Sequence, residues 1–81
     1  MEIKIIYFSG TNKDQVLTYS EDVKQKISIG RHPSSDIVFT DRTSAHSVSR
    51  RHAEILFRDE AWRISDLQST NGTFVNGVQI R

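Results

Sequence analysis

His52-Ala53-Glu54-Ile55-Leu56-Phe57-Arg58-Asp59-Glu60-Ala61-Trp62-Arg63-Ile64-Ser65 decides the fold class. Ala53, Ile55 and Phe57 alternate with His52, Glu54 and Leu56, and Trp62 and Ile64 alternate with Arg63 and Ser65. An apolar period of two places one set of side chains on a single face of an extended strand. No apolar stripe at helical spacing competes with that reading.

The same period recurs on both sides of this stretch. Ile3, Ile5 and Tyr7 alternate with Lys4, Ile6 and Phe8, and the run stops at Ser9-Gly10. Val16-Leu17-Thr18-Tyr19 is a second run, Ile27-Ser28-Ile29 a third ending at Gly30, and Asp36-Ile37-Val38-Phe39 a fourth after the turn residues Pro33-Ser34-Ser35. Near the end, Phe74-Val75 and Val78-Gln79-Ile80 flank Asn76-Gly77. That pair best tolerates the positive φ angles of a type I′ turn, so a tight hairpin is expected there. Glu21 to Lys26 is the best helix candidate, but it is short and lacks caps or a periodic apolar stripe. Trp62 and Ile64 read as core packing. Short strands at roughly ten-residue spacing indicate an all-β sandwich or barrel.

Composition narrows the function classes. The 81 residues hold 11 Lys+Arg against 10 Asp+Glu, a net charge of +1. That balance argues against a general nucleic-acid binder. Without cysteine, neither disulfides nor thiolate metal sites supplement the core. No apolar run approaches the ~20 residues of a membrane-spanning helix, and the N-terminus lacks signal-peptide character. The default expectation is a single cytoplasmic domain over residues 1–81, with no membrane contact, no metal and no cofactor.

Three clusters carry chemistry: Gly30-Arg31, Ser49-Arg50-Arg51-His52 and Ser69-Thr70-Asn71-Gly72-Thr73. Each lies at a strand end or in a loop, where binding residues concentrate on β scaffolds. Together with Trp62-Arg63-Ile64-Ser65-Asp66-Leu67 and Val75-Asn76-Gly77, these clusters make residues 30–80 resemble a forkhead-associated (FHA) domain. The resemblance implies a β-sandwich of the SMAD/FHA type that reads phosphothreonine peptides through loops at one end, without catalysis. It implies that Arg31 and Ser49 contact the phosphate, that Arg50 and Thr70 add contacts, and that Asn71 holds the peptide backbone. Gly30, His52, Ser69 and Gly72 fall at positions that support the site.

The residue chemistry is compatible with those roles. A phosphate monoester carries about −1.5 to −2 charges and three strong acceptor oxygens. An arginine fork meets two of those oxygens at once, hydroxyls satisfy others, and an asparagine amide pairs with a peptide backbone. Which of the neighbours Arg50 and Arg51 faces a ligand stays open at the level of sequence. A Ser49-His52-Asp66 hydrolase triad is disfavoured, since no nucleophile elbow surrounds Ser49. His32, His46 and His52 match no metal-ligand spacing.

Two departures from the family pattern set further expectations. Asp41 to Val48 is longer than the corresponding family loop, which borders the phosphate site. Its extra Ser44, Ala45 and His46 are expected either to alter selectivity for residues flanking the phosphothreonine or to bulge into solvent. The chain also stops at Arg81, so the resemblance implies a C-terminally short sandwich that lacks its last strands, with an open edge available for homo-oligomer pairing. Two rival functions follow: a self-assembly domain with a vestigial pocket, and weak nucleic-acid phosphate binding through Arg31, Arg42, Arg50 and Arg51.

Overall fold

The computed structural model describes residues 1–8, 12–39 and 47–81. Among these residues eight strands and no helix occur: β1 (Glu2–Ile6), β2 (Val16–Ser20), β3 (Lys26–Gly30), β4 (Ile37–Val38), β5 (Ala53–Arg58), β6 (Ala61–Asp66), β7 (Thr73–Val75) and β8 (Val78–Ile80). The helix candidate at Glu21 to Lys26 is instead a turn leading into β3. Val23 N and Lys24 N both donate to the Ser20 carbonyl, and Lys26 already pairs with Leu56. Six residues hold too few internal hydrogen bonds to resist that capture by the sheet.

Three sheets form. β1 pairs with β2, β4-β3-β5-β6 make a four-stranded sheet, and β7 pairs with β8. All pairings are antiparallel except β3 with β4, where Ile29 meets Ile37 and Gly30 meets Val38. Ser28 and Asp36 secure that parallel junction. Ser28 N and Oγ donate to Asp36 Oδ2 at 2.9 and 3.0 Å, Asp36 N donates back to Ser28 Oγ at 2.9 Å, and Lys24 Nζ lies 3.1 Å from Asp36 Oδ1. Burial pushes the Asp36 carboxyl up, but these hydrogen bonds and the Lys24 charge outweigh it and leave it below the ordinary value.

Period-two alternation predicts the core correctly at most positions. Ile27 faces Ile55 across β3 and β5, and both are buried with Ile37 and Ala53. From β1 and β2, Ile3, Ile5, Tyr7, Leu17 and Tyr19 close over them, making two layers of a β-sandwich. Phe57 meets Trp62 edge-on with ring centroids 5.1 Å apart, a favoured aromatic geometry. Ile64 departs from expectation at 37% exposure. It shares a face with Ile55 and Trp62, but β6 pairs only with β5 among the described residues, so one flank stays uncovered.

Candidate functional site

Four segments meet at one end of the four-stranded sheet: the turn after β3, the segment before β5, the loop from β6 to β7, and β7 itself. Gly30 makes the first junction. A Cβ built on it would lie 2.0 Å from the Arg50 carbonyl oxygen, so only glycine lets the two backbones approach. Its requirement is this close approach, not a turn. On either side of the contact, Arg31 N donates to the Ser49 carbonyl at 3.1 Å and His32 N to the Arg50 carbonyl at 3.2 Å. Arg31 Nε donates to the Val48 carbonyl at 2.6 Å. One of the five guanidinium N–H donors is thereby spent on orientation, and the other four meet no acceptor among the described residues.

Ser49 sits where the segments converge. Its Oγ accepts Thr70 N–H at 2.9 Å, which bridges the segment before β5 to the β6–β7 loop. The hydroxyls of Ser49 and Thr70 are 3.5 Å apart, beyond ordinary O–H···O range. With an Oγ lone pair committed to Thr70, the Ser49 proton remains to be donated. Asn71 Nδ2 donates to the Ser47 carbonyl at 3.3 Å, a second bridge between the same segments.

Beneath this layer lies a brace. His52 Nδ1 accepts Ser49 N–H at 3.0 Å, which places the proton of the neutral ring on Nε2, 2.9 Å from the Gly72 carbonyl that it faces as donor. Both ring nitrogens are therefore occupied by backbone, and no hydrogen bond joins His52 to the Ser49 hydroxyl or to Asp66. That geometry excludes the hydrolase arrangement. Gly72, at φ 87°, takes the left-handed backbone that glycine tolerates best, and its N–H donates to Ser69 Oγ at 3.0 Å.

Asp66 anchors the loop, a role that the sequence reading did not assign. Its carboxylate accepts from Ser69 N at 3.1 Å, from Ser69 Oγ, and from Thr73 Oγ1 at 2.6 Å. Hydrogen bonds from the Ser69 and Thr73 side chains hold the Asp66 carboxyl below its usual value, against a smaller opposing effect of burial. The available signal was the spacing: Asp followed three residues later by Ser is a local side-chain-to-backbone motif.

The expected residues are thus gathered at one place, with differing roles. Arg31, Ser49, Thr70 and Asn71 surround the convergence, while Gly30, His52, Ser69 and Gly72 support it. Arg50 enters through its backbone carbonyl, its side chain exposed and without an ion pair among the described residues. Arg42, Ser44, Ala45 and His46 lie outside the described residues. Among those described, no group of His, Cys, Asp or Glu is placed to hold a metal. Among the described residues no helix is long and apolar enough to cross a membrane.

Comparison with known proteins agrees with this architecture. Residues 27–81 match the model of the FHA domain. The oxoglutarate dehydrogenase inhibitor of Corynebacterium diphtheriae is 51% identical over 47 residues, covering 58% of this chain and 30% of that protein. The glycogen accumulation regulator GarA of Mycobacterium tuberculosis is 49% identical over 49 residues, covering 60% and 28% respectively. The chain thus matches less than a third of the length of these curated relatives. Among solved structures, one from work on phosphothreonine-dependent FHA domain interactions superposes over 100% of this chain and 75% of its own. Its TM-score is 0.78 at 26% identity. The FhaA FHA domain in complex with the intracellular domain of Rv3910 aligns with 96% of this chain and 76% of its own, at TM-score 0.71 and 29% identity. With more than half its length matching the family model, the chain belongs to the FHA-domain family.

Proposed function

We propose that this chain is a non-catalytic module that binds a phosphothreonine segment of a partner protein and recruits that partner in Ser/Thr kinase signalling. The observation that carries the reading is the Arg31–Ser49–Thr70 convergence. A guanidinium is fixed through Nε with its remaining donors uncommitted, beside two hydroxyls whose protons are free to donate. A dianionic phosphate with three acceptor oxygens is the complement of that donor set. In this reading Arg31 and Ser49 take the phosphate, Arg50 and Thr70 add contacts, and Asn71 turns to the peptide backbone. The FHA relatives named as regulators and inhibitors support a regulatory role.

The test titrates a degenerate phosphothreonine library, its phosphoserine counterpart and its unphosphorylated form against the protein and Arg31→Ala. Phosphate-dependent binding that disappears in Arg31→Ala is expected, since charge-assisted hydrogen bonds contribute about 1.5–3 kcal/mol each. Equal binding of all three libraries would refute the reading. Binding of nucleic acid through the same arginines, or assembly of the domain without peptide, would favour the rival functions.

A further inference from the structure

Arg31 and its neighbour His32 send their side chains to different places. Arg31 turns to the Val48 carbonyl at the Ser49 site, whereas His32 lines a separate cleft of about 390 Å³. Arg51, next to Arg50, lines the same cleft. Its floor is the outer face of the four-stranded sheet. Ser28 and Glu54 are cross-strand partners there, with Lys26 two residues along β3, on the side opposite Ile27 and Ile55. Ser34, from the turn after β3, forms part of the wall.

Among the described residues the formal charges that line the cleft are Lys26 and Arg51 against Glu54, a net positive balance. Glu54 is the one carboxylate lining it among the described residues, and Lys26 Nζ already lies 3.4 Å from that group. Arg51 is exposed and makes no ion pair among the described residues. His32 Nδ1 accepts Ser34 N–H at 3.1 Å and lies 2.6 Å from Ser34 Oγ. The neutral ring therefore keeps its proton on Nε2, which is a further donor. The cleft and the Ser49 site share a wall, since His32 N donates to the Arg50 carbonyl at 3.2 Å.

We infer that this cleft binds a second anionic group, a carboxylate or a phosphoryl, carried by the same phosphorylated segment, and that Arg51 anchors it. The inference rests on the proposed phosphothreonine reading, because the shared wall is what lets one peptide reach both places. An extended peptide advances about 3.3 Å per residue, so a few residues bridge neighbouring subsites. A nucleic-acid strand fits less well: among the described residues no Phe, Tyr or Trp lines the cleft for base stacking.

The experiment is an acidic scan. In a phosphothreonine peptide with alanine flanks, Asp is placed in turn at each of several positions on both sides, and affinity is measured for the protein and for Arg51→Gln. Phosphoserine then replaces Asp at any position that gains. One or two positions should tighten binding about two- to fivefold, as expected for a partly exposed ion pair. The gain should be larger for phosphoserine and should vanish in Arg51→Gln. The alanine-flanked peptide should bind both proteins equally, which also reports that the variant is folded. If that peptide binds but no position gains, or the gain survives Arg51→Gln, the second subsite is overturned and the phosphothreonine reading stands. Failure of every phosphopeptide to bind would overturn both.

Discussion

Two hairpins flank the loop that carries Thr70 and Asn71, and they are built on opposite terms. The β7–β8 hairpin has the turn best suited to it: Asn76 at φ 51° and Gly77 at φ 82°, a pair of positive φ angles as type I′ requires. Yet Phe74, Val75 and Val78 on its strands remain exposed. The β5–β6 hairpin turns through Asp59 at φ 54° and Glu60 at φ 62°, although side chains with a Cβ resist the left-handed region. Six residue pairs from Ala53–Asp66 to Arg58–Ala61 hold it, with Ile55 and Trp62 packed into the core. Pairing length and burial tolerate a poor turn, whereas a short, exposed hairpin depends on a good one.

The loop between the hairpins inherits support from both sides, through polar contacts. Asp66, the last residue of β6, accepts from Thr73, the first residue of β7. His52 links the segment before β5 to Gly72. The site is therefore positioned by side-chain hydrogen bonds hung from the rigid hairpin.

The comparison is broken most severely by truncating the core of the rigid hairpin. Ile55→Ala should lower stability by about 2–5 kcal/mol, the range for emptying a buried aliphatic site. Val78→Ala on the exposed hairpin should stay within about 0.5 kcal/mol. Chemical denaturation of the two variants checks the contrast. Equal losses would mean that β8 carries buried weight comparable to β5.

Next in size is the anchor between the hairpins. Asp66→Asn should weaken phosphopeptide binding and lower the midpoint of thermal unfolding, because Ser69 and Thr73 lose a charged acceptor. Since the folded Asp66 carboxyl is held below its ordinary value by those hydroxyls, its stabilisation is full above the unfolded value near ~4. It is lost as pH falls through the lower, folded value. From pH 7.5 to 5 Asp66 therefore stays ionised, and affinity should fall below ~6 as the peptide phosphate gains its second proton. A peptide bearing a more acidic phosphonate mimic should carry that fall to lower pH. If affinity is flat across the range, the dianion is not the species bound.

Much of this was legible in the sequence, for particular reasons. Alternation located β1, β3, β5 and β6, turn residues marked off β4, and the Asn76-Gly77 pair named its own turn with β7 and β8 on either side. Other features were not legible. The Glu21–Lys26 segment is too short for intrinsic preference to compete with sheet pairing. The exposure of Ile64 depends on what lies beside β6, which alternation does not record. Arg50 and Arg51 precede β5, where strand alternation gives no rule, so only coordinates place Arg51 in the cleft. Gly30 was singled out from the pattern, but the Arg50 carbonyl that demands it comes from a distant segment.

The smallest expected effect sharpens the opening contrast from the other side. Replacing Glu60 by glycine removes the Cβ from a left-handed position, a relief of about 1–2 kcal/mol per residue. The greater freedom of glycine in the unfolded chain offsets about 0.4–1 kcal/mol of that. Glu60→Gly should therefore stabilise the protein by about 0.5–1 kcal/mol, read as a higher denaturation midpoint with an unchanged slope. Phosphopeptide affinity should not change, because residue 60 sits at the end of β5 and β6 away from Ala53 and Asp66, where the site begins. A neutral or destabilising result would mean that the Asp59-Glu60 turn is held without strain, and that turn chemistry limits neither hairpin.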